Sequence, residues 1–162
     1  MTTQDNGVPL TQAGYDAMQK ELDELRTVRR REVAEQIAEA RDTELDQDED
    51  AIPALEAAKE GQYFLEGRIL QLEQTLARST IIDEAAVRAG DTVQVGSTVV
   101  VEDARGREHT YRILDAAEAD ASAGSISQDS PIGAAVLGSR VGDTVQVQAP
   151  AGVQQLTVKE LR

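Results

Sequence analysis

The chain has 162 residues, of which 30 are acidic and 16 basic, giving a formal charge of −14, and 40% of it is apolar. That length and apolar share suit one ordinary domain or two small ones and exclude a wholly disordered chain, while the charge opposes long-range attraction to free nucleic acid or anionic membranes. With no cysteine there are no disulfides, thiol nucleophiles or thiolate zinc sites, and with four aromatic residues (Tyr15, Tyr63, Phe64, Tyr111) base stacking is disfavoured as a binding mode.

The stretch "MTTQDNGVPL" lacks a charged leader and the apolar segment of a signal peptide, and no apolar run approaches a membrane span, so a cytoplasmic protein without membrane contact is expected. From about Thr11 to Arg41 the sequence reads as one helix. The Thr11 hydroxyl can cap it by accepting a hydrogen bond from a first-turn amide, and Met18, Leu22, Leu25, Val28 or Arg29, Val33 and Ile37 recur at spacings of three and four. A second helix has a heptad seam in Leu55, Ala58, Gln62, Leu65, Ile69, Leu72 and Leu76. Two helices of similar length bury both stripes by folding back on each other, which predicts a long antiparallel coiled-coil hairpin with an arm on the order of 45 Å. Between them lies an acidic tip over 42–53, where Asp42, Glu44, Asp46, Asp48, Glu49 and Asp50 gather six carboxylates in nine positions.

After Ser79 the period changes to two. The stretches "DTVQVGSTVVVED", "EHTYRILD", "DTVQVQA" and "QQLTVKEL" read as strands with turns at "ARGR" and "PAG", and "SPIGAAVLG" reads as a short helix with Ser130 as cap, Pro131 at the first position and Gly138 as stop. The fold class is therefore α+β: residues 1–79 as the hairpin, 80–90 as a linker, and 91–162 as a mostly antiparallel sheet domain with one short helix. The "GDTVQV" at Asp91 and again at Asp143 repeats a turn and strand start, too few copies for a repeat architecture.

The stretches "LTQAGYDAMQKELDELRTVRRREVAEQIAEARD" and "EAAKEGQYFLEGRILQLEQTLARSTIID" resemble the coiled coil of the bacterial Gre transcript-cleavage factors, and "ISQDSPIGAAVLGSRVGDTVQVQAPAG" resembles the signature of their C-terminal domain. The resemblance covers nearly the whole chain. It implies an FKBP-like C-terminal domain that docks on the rim of the secondary channel of RNA polymerase, and a coiled coil that enters the channel with acidic residues at its end. Cleavage-competent members carry a tip like "GDLKENAEY". Here "TELDQDEDAIPAL" fills that gap, longer and more acidic, and Arg31 stands where the family often has Pro. The nearest precedent is the subgroup of Gre homologues with enlarged acidic tips, so the resemblance implies a factor that inhibits or pauses the polymerase. The alternatives are a cleavage-stimulating elongation factor and, from another class, a coiled-coil interaction or chaperone protein on an FKBP-like scaffold.

Carboxylate oxygens suit magnesium, which takes one or two carboxylates and keeps several waters. No cofactor of its own is expected; the ion implied is the Mg2+ of the polymerase active site. The bland alternative is a solvated loop, but like charges this close repel each other and raise their own pKa values, which a merely soluble loop need not bear. A calcium-binding EF-hand fits poorly, because Ala51 stands at its glycine and Ala57 at its bidentate glutamate. The basic patch Arg26, Arg29, Arg30 and Arg31 reads equally as flank charges paired with nearby acids or, by resemblance, as a contact for the RNA 3′ end or an acidic channel wall. Ser130, Pro131, Ile132 and Gly133 belong, by resemblance, to the polymerase-docking region. His109 without a second histidine or a cysteine reads as a structural or surface residue and not as a ligand. No nucleophile motif or phosphate loop marks an enzyme in its own right, and a monomer is expected.

Overall fold

This computed structural model describes residues 7–45 and 51–162, and the chain divides into two compact units: residues 16–77, and 78–162 together with the residues up to Tyr15.

The first unit is the antiparallel hairpin. Helix α1 (Gln12–Glu24) passes through a π turn (Leu25–Arg29) into α2 (Arg30–Leu45), and α3 (Ala51–Ala77) returns alongside. Met18, Leu22, Val33, Ile37 and Ala40 of the first arm are buried, as are Leu55, Leu65, Ile69 and Leu72 of α3, which packs against α2. Ala58 and Leu76 are half-buried, while Gln62 is exposed despite its seam position. Three ion pairs span the two helices: Arg26 with Glu73, Arg30 with Glu66 and Arg68 with Glu21.

The π turn corrects the reading of the first helix as one unbroken stripe. Continuing the heptad of Met18, Leu22 and Leu25 would bury Arg29, Glu32, Gln36 and Glu39, all polar. The residues buried instead are Val33, Ile37 and Ala40, beginning one place later than that register. The additional residue is absorbed where the Arg30 amide bonds back to the Leu25 carbonyl, five residues away, so α2 keeps its apolar face on the seam. In consequence no residue of 25–29 is fully buried: Leu25 is half-buried, Val28 is 41% exposed and Arg29 is exposed.

Two glycines interrupt α3. Gly61 and Gly67 each cost a helix interior about 0.8–1 kcal/mol relative to Ala, and no atom lies within 4 Å of the place a Cβ would take at either. Packing among the described residues gives neither glycine a reason.

In the second unit, β1 (Val8–Leu10) pairs in parallel with β2 (Ser79–Ile81), and the Ile82 amide donates to the Leu10 carbonyl at 2.8 Å. Leu10 and Thr11 are buried there, which explains why the start of the chain groups with its C-terminal half. The stretch 80–90, expected as linker, contains the end of β2 and a short helix α4 (Glu84–Ala89), capped by Asp83, whose carboxylate accepts from the amides of Ala85 and Ala86 at 3.1 Å.

The sheet holds β3 (Thr98–Asp103), β4 (Glu108–Leu114), β5 (Ser125–Ser127), β6 (Thr144–Ala149) and β7 (Gly152–Leu161) in the order β5-β4-β3-β7-β6. All neighbours are antiparallel except β4 and β5. One face buries Val99, Val101, Ile113, Val147, Leu156 and Val158 together with Val93 and with Val136 of helix α5 (Pro131–Val136). This is the α+β class expected, with a helical hairpin and a mostly antiparallel sheet. No described helix is long and apolar enough to cross a membrane.

The two "GDTVQV" copies diverge. Asp143 leads into β6, whereas Asp91–Val95, expected as a strand, bends and runs irregularly into a turn that begins at Val95. There the Ser97 amide donates to the Gln94 carbonyl at 3.0 Å and the Ser97 hydroxyl accepts from the Gln94 amide at 2.9 Å. Gly96, at φ +99°, lets the chain reverse before β3 begins.

Candidate functional site

The acidic connection joins α2 to α3 at one end of the hairpin. Asp42 is exposed on the last turns of α2, one residue before Thr43, whose hydroxyl donates to the Glu39 carbonyl at 3.0 Å. Glu44 belongs to α2 by its backbone. Asp46, Asp48, Glu49, Asp50 and the side chain of Glu44 lie outside the described residues. Among the described residues no group of three or more His, Asp or Glu side chains is placed to hold a metal ion.

The seam behind the tip makes the hairpin a well-defined support. Ile69 and Leu72 are each 2% exposed, and burying a leucine or isoleucine of this size contributes about 1.5–3 kcal/mol. The bidentate Arg30–Glu66 bonds measure 2.8 and 2.7 Å, and the Arg68–Glu21 bonds 2.7 and 2.9 Å. The hydrogen bonds and charge of Glu66 raise Arg30 above its ordinary pKa, and the bond from Arg30 lowers that of Glu66; Glu21 does the same for Arg68. Solvent screening weakens such exposed pairs, so they set register more than stability.

The same pairs describe the basic patch. Arg26 and Arg30 reach across to Glu73 and Glu66, and Arg29 bonds Glu32 at 2.5 Å on its own helix. These three are flank charges answered by acids. Arg31 is exposed and, among the described residues, has no ion pair.

In the docking region the residues are first of all parts of a helix start. The Ser130 hydroxyl accepts from the Gly133 amide at 3.1 Å and donates to the Ser127 carbonyl at 2.7 Å. Pro131 occupies the first turn, where its missing N–H goes unused. Gly133 is buried, Ser130 and Ile132 are half-buried, and Pro131 is exposed. A Cβ on Gly133 would lie 2.0 Å from the Ser127 carbonyl oxygen. Gly138 follows the helix at φ +80°, the left-handed stop expected of it.

Three arrangements carry little sequence signal. Thr11 caps α1 as expected, accepting from the Gly14 amide at 3.0 Å, but Glu118 also reaches it from the loop after β4, accepting from the Thr11 amide at 3.0 Å and from its hydroxyl. A carboxylate at a helix N-terminus is stabilised by the helix dipole; nothing local to Glu118 could have announced a partner 107 residues away. Asp103 organises the turn between β3 and β4, accepting from the Arg107 and Arg105 amides at 3.0 and 2.9 Å, from Arg107 Nε at 2.9 Å, and lying 3.3 Å from His109 Nε2. The Arg107 amide, then His109 and Arg105, hold its carboxyl well below the usual carboxylate range. His109 also stacks on Tyr111, with ring centres 6.2 Å apart, which suits a structural residue. Thirdly, Tyr63 and Phe64 stand on the outside of α3, 79% and 66% exposed, in edge-to-face contact.

Residues 8–81 match the family described as "Transcription elongation factor, N-terminal", and residues 88–162 match "Transcription elongation factor, GreA/GreB, C-term". The chain is 44% identical to transcription elongation factor GreA of Neisseria meningitidis serogroup A over 156 residues, covering 96% of this chain and 97% of the relative. It is 43% identical to GreA of Rhodospirillum rubrum and 42% identical to GreA of Alkalilimnicola ehrlichii, with the same coverage. Among solved structures it is similar to GreA factor homolog 1 of Thermus thermophilus, at 32% identity and a TM-score of 0.45, covering 97% of this chain and 99% of that one. It is also similar to the GreA/GreB elongation factor of Nitrosomonas europaea, at 30% identity and a TM-score of 0.40, covering 59% of this chain and 78% of that one.

Proposed function

The chain belongs to the GreA/GreB transcription elongation factor family, and on that premise we propose that it binds bacterial RNA polymerase in the cytoplasm, inserts its hairpin into the secondary channel and stimulates the polymerase's own cleavage of backtracked RNA. The observation that carries this reading is likeness along the whole chain, 41–44% over at least 94% of it, to proteins named GreA. An elongation role is favoured over inhibition because these relatives are named transcription elongation factors. Inhibition or pausing draws on the acid-rich tip alone and is the second reading.

The chemistry assigned to the tip follows from its donors. Asp42, Glu44, Asp46, Asp48, Glu49 and Asp50 offer only carboxylate oxygens, the ligand type that magnesium prefers. In the polymerase active site these residues would hold a second magnesium ion, which would supply an activated water for phosphodiester hydrolysis. The chain contributes no nucleophile and is not an enzyme by itself. Its seam keeps α2 and α3 in register so that the acids arrive together, and Arg31 is the patch residue available to the RNA 3′ end or to the channel wall. Ser130, Pro131, Ile132 and Gly133 carry the docking role, with Pro131 the exposed member. It acts as a monomer and keeps no metal of its own.

Backtracked elongation complexes with labelled transcripts test this. Adding the protein should shorten the RNA from its 3′ end in a magnesium-dependent reaction, and replacing the six tip acids by their amides should abolish shortening while polymerase binding persists. Slowed nucleotide addition with no shortening would establish the inhibitory reading in its place. Failure to bind the polymerase would end both.

A further inference from the structure

Two of the four aromatic residues of this chain are exposed side by side on the hairpin, where they stabilise nothing in its own core. With 3.6 residues per turn, Tyr63, Phe64, Gly67 and Leu70 share the face of α3 turned away from the seam. Leu70 is 54% exposed. Gly67 sits in the middle of the three large side chains, with open space where a Cβ would stand. The face is thus an apolar ring around a notch floored by backbone, kept in a helix interior that would be more stable with alanine.

We infer that this notch is a second contact with RNA polymerase, receiving one aliphatic or aromatic side chain from an uncharged patch of the channel wall; the inference rests on the polymerase-binding reading above. Charge selects the occupant. Between residues 61 and 74 the charged side chains of α3 are Glu66, Arg68 and Glu73, each ion-paired to the first helical arm; one turn earlier the exposed Lys59 and Glu60, of opposite sign, border Tyr63 and Phe64, so the charges around the ring cancel in a chain of charge −14. A nucleic-acid strand would need a row of cations tracking its phosphates, and Lys59 with Glu60 beside it is not such a row. A second copy would need about 800 Å² per partner for a stable interface, whereas two aromatic side chains of about 150–250 Å² each and one leucine supply roughly half of that. That area suits an added contact on a partner anchored elsewhere.

The glycines provide the test. Full-length wild type, Gly67→Ala, Gly61→Ala and the double variant Tyr63→Ser/Phe64→Ser are titrated against core RNA polymerase by fluorescence, and their melting temperatures are measured. Both alanine variants should melt above wild type, since each removes a glycine from a helix interior. Gly67→Ala should nonetheless bind the polymerase about tenfold more weakly, with Gly61→Ala, on the flank of the helix, binding like wild type and the double variant losing about tenfold or more. Equal affinity of all four would overturn the notch and leave the polymerase reading standing. Wild type that does not bind at all would remove that reading and the notch with it. A change confined to self-association in sedimentation, or to crosslinking with RNA, would assign the face to a second copy or to the transcript and overturn the inference.

Discussion

Replacing Gly133 by alanine separates packing from partner contact in the docking region. The new Cβ would stand 2.0 Å from the Ser127 carbonyl oxygen and 2.9 Å from Ser130 Oγ. A carbon rests no closer than about 3.3 Å to a carbonyl oxygen, so something must move by about 1.3 Å. The obstacle is backbone and cannot rotate away. Ser127 closes β5 opposite Leu114, and its carbonyl accepts from both the Ser130 amide, at 3.0 Å, and the Ser130 hydroxyl, at 2.7 Å. Displacing it therefore opens the end of a strand and loosens the cap of α5. Overpacking costs about 1–3 kcal/mol and loss of a serine cap about 0.5–2 kcal/mol, together about 1.5–5 kcal/mol. For a unit of this size that lowers the melting temperature by about 6–40 °C. Thermal unfolding followed by circular dichroism measures it, with Ser130→Ala, which removes only the cap, expected to lose about 1 kcal/mol. A Gly133→Ala protein melting within about 3 °C of wild type, well under the shift for 1 kcal/mol, would refute the steric reasoning. If it also lost polymerase binding, the glycine would be there for the partner.

Deleting Thr27 should turn the π turn into ordinary α-helix and leave the hairpin folded with an equal or higher melting temperature, because the turn absorbs one residue beyond the heptad; a collapse of helical signal would show that the turn is required. Leu72→Ala, at a site 2% exposed, should destabilise the hairpin by about 2–5 kcal/mol in urea unfolding, and a change below 1 kcal/mol would mean, on the same scale, that the seam is not the core. Asp103→Asn should lower stability at neutral pH. The folded carboxyl titrates below its ordinary value, so its contribution is complete above about pH 4 and disappears as the pH falls through the depressed value. The gap between Asp103→Asn and wild type in melting temperature should accordingly hold above about pH 4 and narrow progressively as the pH falls below that, toward the lowest pH at which the fold survives; a gap constant over that range would remove the carboxylate from the explanation.

The readable features were short-ranged. The α3 seam, the Thr11 and Ser130 caps, the Gly138 stop and the turns flanking β4 and β7 follow from spacings of one to seven residues, and each appears where periodicity and turn chemistry place it. The six tip acids were equally plain as composition; of them the structure describes the side chain of Asp42 alone. The break in the first stripe was also present, as the eight residues from Leu25 to Val33 where a heptad allows seven, but periodicity alone does not say whether a π turn or an exposed register absorbs the extra residue.

By itself, then, the sequence determined that two apolar stripes would pair into a hairpin and that a period-two region would form a sheet. Tertiary structure decided which strands meet, as when Val8–Leu10 joins Ser79–Ile81, and which of two identical "GDTVQV" stretches extends into a strand. It decided that Glu118 would close on Thr11 and that Glu66 would answer Arg30. The reason is physical: a helix bonds to itself every four residues, so its pattern is written locally, whereas a strand or a long-range carboxylate is satisfied only by a partner brought near by burial elsewhere.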